Sequence, residues 1–254
     1  MLEKIPLSVA IITKNEAENL GDCLKSIEFA AQIVVVDADS TDETVPIASH
    51  FGCEVFKEAW KGFGPQKQSA IDKCRHPWVL VLDADERIPP ETASQIIKIV
   101  LTPPGTSAGY TFPRKNHFQG RWVKHMGLWP DRVLRLFRKD LGHMSPAKVH
   151  ESIAIDAPVK DLETPIEHYP ADQISKILLK IDQYSTFGAQ EASAQGRQAC
   201  IWSAVFRAQI AFLQNYFFRL GFLEGPQGLT LASMDAINKF FKYAKLAELT
   251  RRDK

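Results

Sequence analysis

The 254-residue sequence is poor in cysteine, and its four thiols (Cys23, Cys53, Cys74 and Cys200) form no C-x-x-C pair. A zinc ribbon and a thioredoxin-like motif are thereby excluded, and the scatter suits reduced thiols in a cytoplasmic protein. No uninterrupted apolar run approaches the ~20 residues that span a bilayer. The nearest approach, Ala199 to Leu223, is broken by Arg207, Gln209, Gln214, Asn215 and Arg219. The N-terminal Met1-Leu2-Glu3-Lys4-Ile5-Pro6 lacks an apolar core followed by a small-residue cleavage site, so no secretory signal is read there. Neither G-x-x-x-x-G-K-S/T nor G-x-G-x-x-G follows a strand-like run, which disfavours a P-loop nucleotidase and a dinucleotide-binding fold. There is no internal repeat. Excess charge is also lacking: 31 Lys+Arg oppose 30 Asp+Glu, a formal +1, which does not describe a uniformly basic nucleic-acid binder. With 45% hydrophobic and 24% charged residues, the chain has enough apolar side chains to offset its conformational entropy.

What is present alternates. Leu7–Ile12, Ile33–Asp37, Cys53–Phe56 and Trp78–Asp83 are short, β-branched and nearly continuous in apolar character, as strands buried on both faces are. Helical spacing falls between them. Ala17, Leu20, Leu24 and Ile27 share one face of Glu16–Glu28. Ser40-x-x-Glu43 has capping-box spacing for a second helix that Gly52 would end, with Pro46 blurring its start. Gln66–Lys73 and Glu91–Leu101 read as the third and fourth helices. Strands alternating with helices predict a Rossmann-like α/β sheet. From Thr102 to about Pro170 prolines, glycines and aromatics accumulate, with further strands at Val133–Phe137 and Val149–Ile155 and some antiparallel pairing. From Ala171 onward the pattern is helical. The expected organisation is a catalytic domain over 1–170, split near 101, and a helical region over 171–254.

In an open α/β sheet, ligands bind beyond the carboxyl ends of the strands. Thr13-Lys14-Asn15-Glu16, Asp37-Ala38-Asp39-Ser40-Thr41-Asp42 and Asp83-Ala84-Asp85-Glu86-Arg87 occupy those positions. Asp83-x-Asp85 puts two carboxylates together on an extended segment. Hard divalent cations take such oxygens, and Mg²⁺ commonly combines one or two carboxylates with substrate phosphates. A D-x-D alone is common and reads equally as a solvated acidic turn; the apolar strand before it and the two similar loops favour a site. Gly62-Phe63-Gly64-Pro65-Gln66-Lys67 reads as a flexible loop feeding a helix whose N-terminus, with Lys67, could receive phosphate, or as an ordinary surface loop.

The segments Ser8–Leu20 (SVAIITKNEAENL), Ile33–Thr44 (IVVVDADSTDET) and Val79–Ile88 (VLVLDADERI) resemble the family 2 glycosyltransferases, which have the GT-A fold. Val149–Ile153 (VHESI) and Arg219–Leu229 (RLGFLEGPQGL) are similar to the bacterial lipopolysaccharide core β-1,4-glucosyltransferase group. The resemblance implies a mixed, mostly parallel sheet with a C-terminal helical extension. It implies a UDP-sugar donor, a divalent cation (Mg²⁺ or Mn²⁺) and inversion at the anomeric carbon. Thr13, Asn15 and Glu16 would line the nucleotide pocket. Asp37 would bind the base, and Asp39 and Lys67 would lie near the ribose and the nucleotide. Asp83, Ala84 and Asp85 would form the metal and diphosphate motif. The Q-x-x-R-W motif of processive synthases is absent, so one sugar is transferred at a time. The match points to Glu151 as the base that takes the acceptor proton, with His150 beside it and Asp131 in reserve.

Residues 110–150 hold nine Lys or Arg against two Asp, a local +7 inside a chain of +1. Basic residues interleaved with Trp122 and Trp129 suit single-stranded nucleic acid or an anionic sugar. The resemblance favours the sugar, so Arg114, Trp122, Trp129, Arg132 and Arg135 are candidate contacts to an anionic lipopolysaccharide core acceptor, and nucleic acid is not expected. The aromatic C-terminal helices, accompanied by Arg207 and Arg219, are read mainly as packed, with peripheral contact at the inner face of the cytoplasmic membrane as a secondary reading. The leading expectation is a non-processive hexosyltransferase, glucose being the favoured sugar. The alternatives are transfer to a polyprenyl phosphate or a protein, or a catalytically silent nucleotide-sugar-binding scaffold. Oligomeric state is left open.

Overall fold

The computed structural model describes residues 4–103, 105–145 and 152–252. They form two compact units, Met1–Lys115 with Pro130–Tyr169, and Asn116–Trp129 with Pro170–Lys254. The strands are β1 (Ile5–Thr13), β2 (Ala30–Asp37), β3 (Glu54–Lys57), β4 (Trp78–Asp83), β5 (Glu86–Arg87), β6 (Gly109–Phe118), β7 (Arg121–Trp122), β8 (Asp131–Arg138), β9 (Gly142–Met144), β10 (Ile153–Ile155), β11 (Val159–Asp161) and β12 (Ile166–His168). The helices are α1 (Ala17–Lys25), α2 (Thr44–His50), α3 (Phe63–Asp72), α4 (Pro90–Leu101), α5 (Ile174–Ala194), α6 (Ile201–Leu213) and α7 (Gly225–Arg252).

In the first unit the sheet runs β3-β2-β1-β4-β8-β6-β12-β5. The run β3-β2-β1-β4 is parallel, and β8 joins β4 antiparallel. The expected mixed α/β sheet is therefore present. Alternation along β1 sorts its side chains. Leu7, Val9 and Ile11 pack with Leu20, Leu24 and Ile27 of the α1 region and Ile96 of α4. Ala10 packs with Val34, Val36, Val79 and Val81 against Ala70 and Ile71 of α3. Both faces are thus covered by helices, which is why these strands carry almost no polar residue. Two polar exceptions inside the strands, Ser8 and Gln32, are buried and satisfy each other, the Ser8 hydroxyl donating to Gln32 Oε1 at 2.6 Å.

Three local expectations change. Ser40 does not cap α2: its hydroxyl donates to Asp37 Oδ2 at 2.5 Å, and the helix starts at Thr44. Pro46 then sits in the first turn, where a missing N–H costs nothing. Helix α3 begins three residues early, at Phe63, with Gly62 at φ +98° turning the chain into it. Asp83 and Asp85 do not share one extended segment: Asp83 ends β4 and Asp85 lies in the turn before β5. The second unit carries α5, α6 and α7, the C-terminal helical extension expected from the sequence, and α7 packs with both other helices.

Candidate active site

All the elements of this site belong to the first unit. Parallel pairing sets Thr13 beside Asp37 and Ile12 beside Asp83, so three strands end at one level. Asp37 is fully buried. Its carboxylate accepts from Thr13 Oγ1 at 2.8 Å and from the Ser40 backbone N–H at 2.9 Å, besides the Ser40 hydroxyl. Asn15 and Asp39 both adopt φ +56°, a left-handed conformation that Asn and Asp tolerate better than most. Asn15 N–H donates to Ser40 Oγ and Asn15 Oδ1 accepts from Thr41 N–H, each at 2.8 Å. Glu16 N–H donates to Thr44 Oγ1, also at 2.8 Å. The two loops are interlocked, and Asp39 is left exposed on the outer one.

The second part is a chain of alternating charge. Lys67 Nζ lies 2.8 Å from Asp83 Oδ1, and Arg135 Nη2 lies 2.6 Å from Asp83 Oδ2. The same Arg135 nitrogen is 2.5 Å from Glu86 Oε1, to which Arg114 Nη1 also reaches at 3.3 Å. Arg114 Nε and Nη2 then donate to Asp131 Oδ2 at 2.9 and 2.7 Å. Strand register makes the last pair, since Arg114 of β6 faces Asp131 of β8. Glu86 is fully buried and also accepts the Asp83 backbone N–H at 3.1 Å, which holds the Ala84-Asp85 turn closed.

Burial alone would raise the Asp83 carboxyl, but Arg135 and Lys67 overcome it and hold the group well below the usual carboxylate range. Burial alone would loosen the Arg135 proton, but Asp83 and Glu86 overcome it and push the guanidinium above its ordinary value. Cys23, whose Sγ lies 3.8 Å from the Asp83 carbonyl oxygen, is raised by burial and then by the charges of Glu86, Asp85 and Asp83. A cavity of about 210 Å³ is lined by Lys67, Arg132, Arg135, Val133, Met144 and Ser152 among others. Its charged walls are cationic.

Asp85 is set apart from this chain. Its backbone carbonyl accepts the Tyr169 N–H at 2.8 Å, and its Oδ2 lies 3.4 Å from His168 Nε2 of β12. The Asp83 oxygens thus face two cations, while the Asp85 carboxylate faces an imidazole. Among the described residues no group of three or more His, Cys, Asp or Glu is arranged to hold a metal. A hard cation that uses one or two carboxylates and takes its other ligands from phosphate and water fits this donor set.

The structure distributes the other sequence candidates as follows. Thr13, Asn15, Glu16, Asp37, Asp39, Lys67, Asp83, Ala84, Asp85, Arg114, Asp131 and Arg135 come together in the first unit. Lys67 lies in α3, not in an open loop, and is only 8% exposed. Arg132 donates from Nη1 to the Leu162 carbonyl and from Nη2 to Glu163 Oε1, both at 2.9 Å. Trp122 and Trp129 belong to the second unit, edge to face at 5.1 Å. His150 and Glu151 lie outside the described residues. Sequence reasoning gave no role to Glu86 or His168. For Glu86 a signal existed: Leu82, Ala84, Glu86 and Ile88 alternate inward, and all four are buried. For His168 no pattern marks it.

Polar and acidic side chains at and just beyond the carboxyl ends of three adjacent parallel strands, Thr13 to Glu16, Asp37 and Asp83, mark an α/β protein whose ligand lies beyond those ends. The family model described as Glycosyl transferase family 2 matches residues 8–156, more than half of the sequence, and the chain belongs to that family and is a glycosyltransferase. The lipopolysaccharide core biosynthesis glycosyltransferase LpsC of Rhizobium meliloti (strain 1021) is 30% identical over 97% of this chain and 93% of that protein. An uncharacterized glycosyltransferase of Rickettsia prowazekii (strain Madrid E) is 27% identical over 96% and 87%. Among solved structures, S. aureus TarS 1-349 in complex with UDP-GlcNAc aligns with a TM-score of 0.47 at 15% identity, covering 98% of this chain and 92% of that one.

Proposed function

We propose that the protein transfers one hexose, glucose in the favoured case, from a UDP-sugar to an inner-core sugar of lipopolysaccharide, with inversion. The carrying observation is the contrast inside the acidic turn: Asp83 is neutralised by Lys67 and Arg135, while Asp85 keeps a carboxylate beside His168. Asp85, with Asp83 adjacent, would hold Mg²⁺ or Mn²⁺, which when bound neutralises charge on the departing diphosphate. Thr13, Asn15, Glu16 and Asp37 shape the nucleotide corner, and the exposed Asp39 is the carboxylate offered to the ribose. Lys67 and Arg135 keep a second cationic wall next to the turn. The similarity to LpsC supports a core-oligosaccharide acceptor.

An inverting displacement needs a base on the acceptor side. Asp131 is committed elsewhere, because its Oδ2 already accepts two N–H groups from Arg114 at 2.9 and 2.7 Å. That supports Glu151, which the VHESI motif nominates, as the group that takes the acceptor hydroxyl proton. The deciding experiment offers a panel of UDP-sugars with defined core oligosaccharides, follows acceptor-dependent UDP release and reads the product linkage by NMR. Asp85→Asn is expected to lose about 1,000-fold in turnover with its melting curve unchanged. Glu151→Gln is expected to bind UDP-sugar normally and stop turning over; normal turnover would move the base to Asp131. Absence of UDP release with every pair would remove the reading.

A further inference from the structure

We propose that α6 and the turns after it form a docking face for the surface of an anionic phospholipid bilayer, a property separate from the reaction above. The observation is a helix with its polarity reversed. The buried positions of α6, which packs on α7, include the small residues Ala204 and Ala211. Most of the large apolar ones point out, Val205 and Phe212 being half-buried. Trp202, Phe206, Ile210 and Leu213, continued by Phe217 in the π-helical turn Gln214–Phe218, recur at steps of four, four, three and four, so they share one side. Trp202 is 78% exposed, Phe206 63% and the adjacent Phe218 82%. Phe222 and Leu223 of the next short turn are exposed as well. A helix that only packs on its neighbour turns its large apolar side chains toward that neighbour. A contiguous outward run of this size marks an interaction surface.

Charge selects the occupant. Residues 192–223 contain no Asp or Glu, while Arg197, Arg207 and Arg219 all lie there and are exposed. The Arg207 guanidinium lies 4.4 Å over the Tyr243 ring, and Arg219 Nη1 donates to Asn215 Oδ1 at 3.2 Å, so each fork is oriented with N–H groups to spare. A second copy of the chain placing this face against itself would set three arginines against three arginines, with no acid from residues 192–223 between them and Asp235 of α7 already bonded to Asn215. A bilayer surface supplies both missing halves: an acyl boundary for Trp and Phe, and phosphates for the guanidinium forks. No helix among the described residues is long and apolar enough to cross a membrane, so α6 lies in the interfacial plane.

The test uses the full chain with vesicles of phosphatidylglycerol and phosphatidylcholine in equal parts, followed by flotation. The wild type is expected to float with them, and less so in high salt. Brominated acyl chains are expected to quench its tryptophan fluorescence, and Trp202→Phe is expected to float as before while losing most of that quenching. Phe206→Glu combined with Phe217→Glu is expected to reduce the floating fraction about tenfold or more, with an unchanged circular dichroism spectrum because both sites are exposed. A wild type that stays at the bottom overturns the proposal. So does quenching that is equal in the wild type and Trp202→Phe, or a solution dimer that the double substitution dissolves while vesicles bind neither form. Transfer to a delipidated core oligosaccharide, measured on the same proteins, separates the two readings. Flotation without any transfer removes the proposed reaction and keeps the docking face, whereas unchanged transfer by the double variant places the face outside the chemistry.

Discussion

The strand-end cluster and the outward side of α6 depart from ordinary burial in opposite directions. The first buries charge: Glu86 is fully buried and Arg135 is 7% exposed. The second exposes aromatics. The cluster's chain of alternating charge is self-sufficient, because Asp83, Glu86 and Asp131 each meet a guanidinium or ammonium from another element. The α6 side is not, because no described residue of the unit covers Trp202 or Phe218. Buried charge that carries its own counter-ions is a device of the fold, setting the turn that holds Asp85. Exposed apolar surface without a cover is addressed to something outside the chain.

The largest expected effect breaks the first half of that comparison. Arg135→Met removes the shared cation and leaves Glu86 buried with the Asp83 N–H at 3.1 Å and, as its remaining cation, Arg114 at 3.3 Å. Removing one partner of a buried pair typically costs about 3–5 kcal/mol, far more than the pair itself contributes. Urea unfolding should show that loss, and Arg135→Met with Glu86→Gln should recover part of it by deleting the stranded charge. A single substitution costing under ~1 kcal/mol would mean that the cluster is solvated and that its burial has no energetic weight.

How much of this was legible follows from which residues acted locally. Strands β1, β2 and β4 announced themselves because both faces of each are covered, so their apolar runs are nearly unbroken. Asp83 and Asp85 stood out by position at a strand end. Their partners did not, since Arg135 and Lys67 reach Asp83 only through the placement of β8 and the early start of α3, and His168 reaches Asp85 from β12. That start was hidden because Gly62-Phe63-Gly64-Pro65 has the composition of a loop, yet Pro65 falls in the first helical turn, where its absent N–H is not needed. The +7 of residues 110–150 was a correct sum with a missing column. The acids that meet these cations, among them Asp83, Glu86, Glu163 and Glu224, lie outside the segment. In α6, spacing told which side chains share a side but not which side turns inward. Ala204 and Ala211 decided that by fitting where Phe206 would not.

An intermediate effect sharpens the comparison with charges that are paired but wet. Glu58 gathers Lys73 Nζ at 2.6 Å, Lys61 Nζ at 2.9 Å and the Ser69 hydroxyl. The hydrogen bond from Lys73, then those from Lys61 and Ser69, bring its carboxyl down from 4.5 to about 2. A carboxyl lowered by folding stabilises the protein above its unfolded pKa, and that stability is lost as pH falls toward the folded value. The advantage of wild type over Glu58→Gln should therefore be full above pH ~5 and fade on titration toward pH ~2, with a ceiling of about 1 kcal/mol after discounting for solvent screening. Denaturant midpoints across that range measure it. A difference independent of pH would assign the site to packing.

The smallest expected effect concerns the α6 side itself, where near-zero is the informative result. Phe218 is 82% exposed, so folding removes little of its surface from water and Phe218→Ser has little burial to lose. Its thermal and urea midpoints should match the wild type within about 0.5 kcal/mol, the ordinary range for surface changes. The same should hold for Trp202→Ser, since 78% of that side chain is also in solvent. Residues so large that contribute nothing to stability are not retained by the packing of the unit, which leaves binding as their physical use. A loss above about 1 kcal/mol in either variant would show that the side chain is packed in solution. The contrast between a cluster that completes itself and a face that awaits a partner would then fail on its second half.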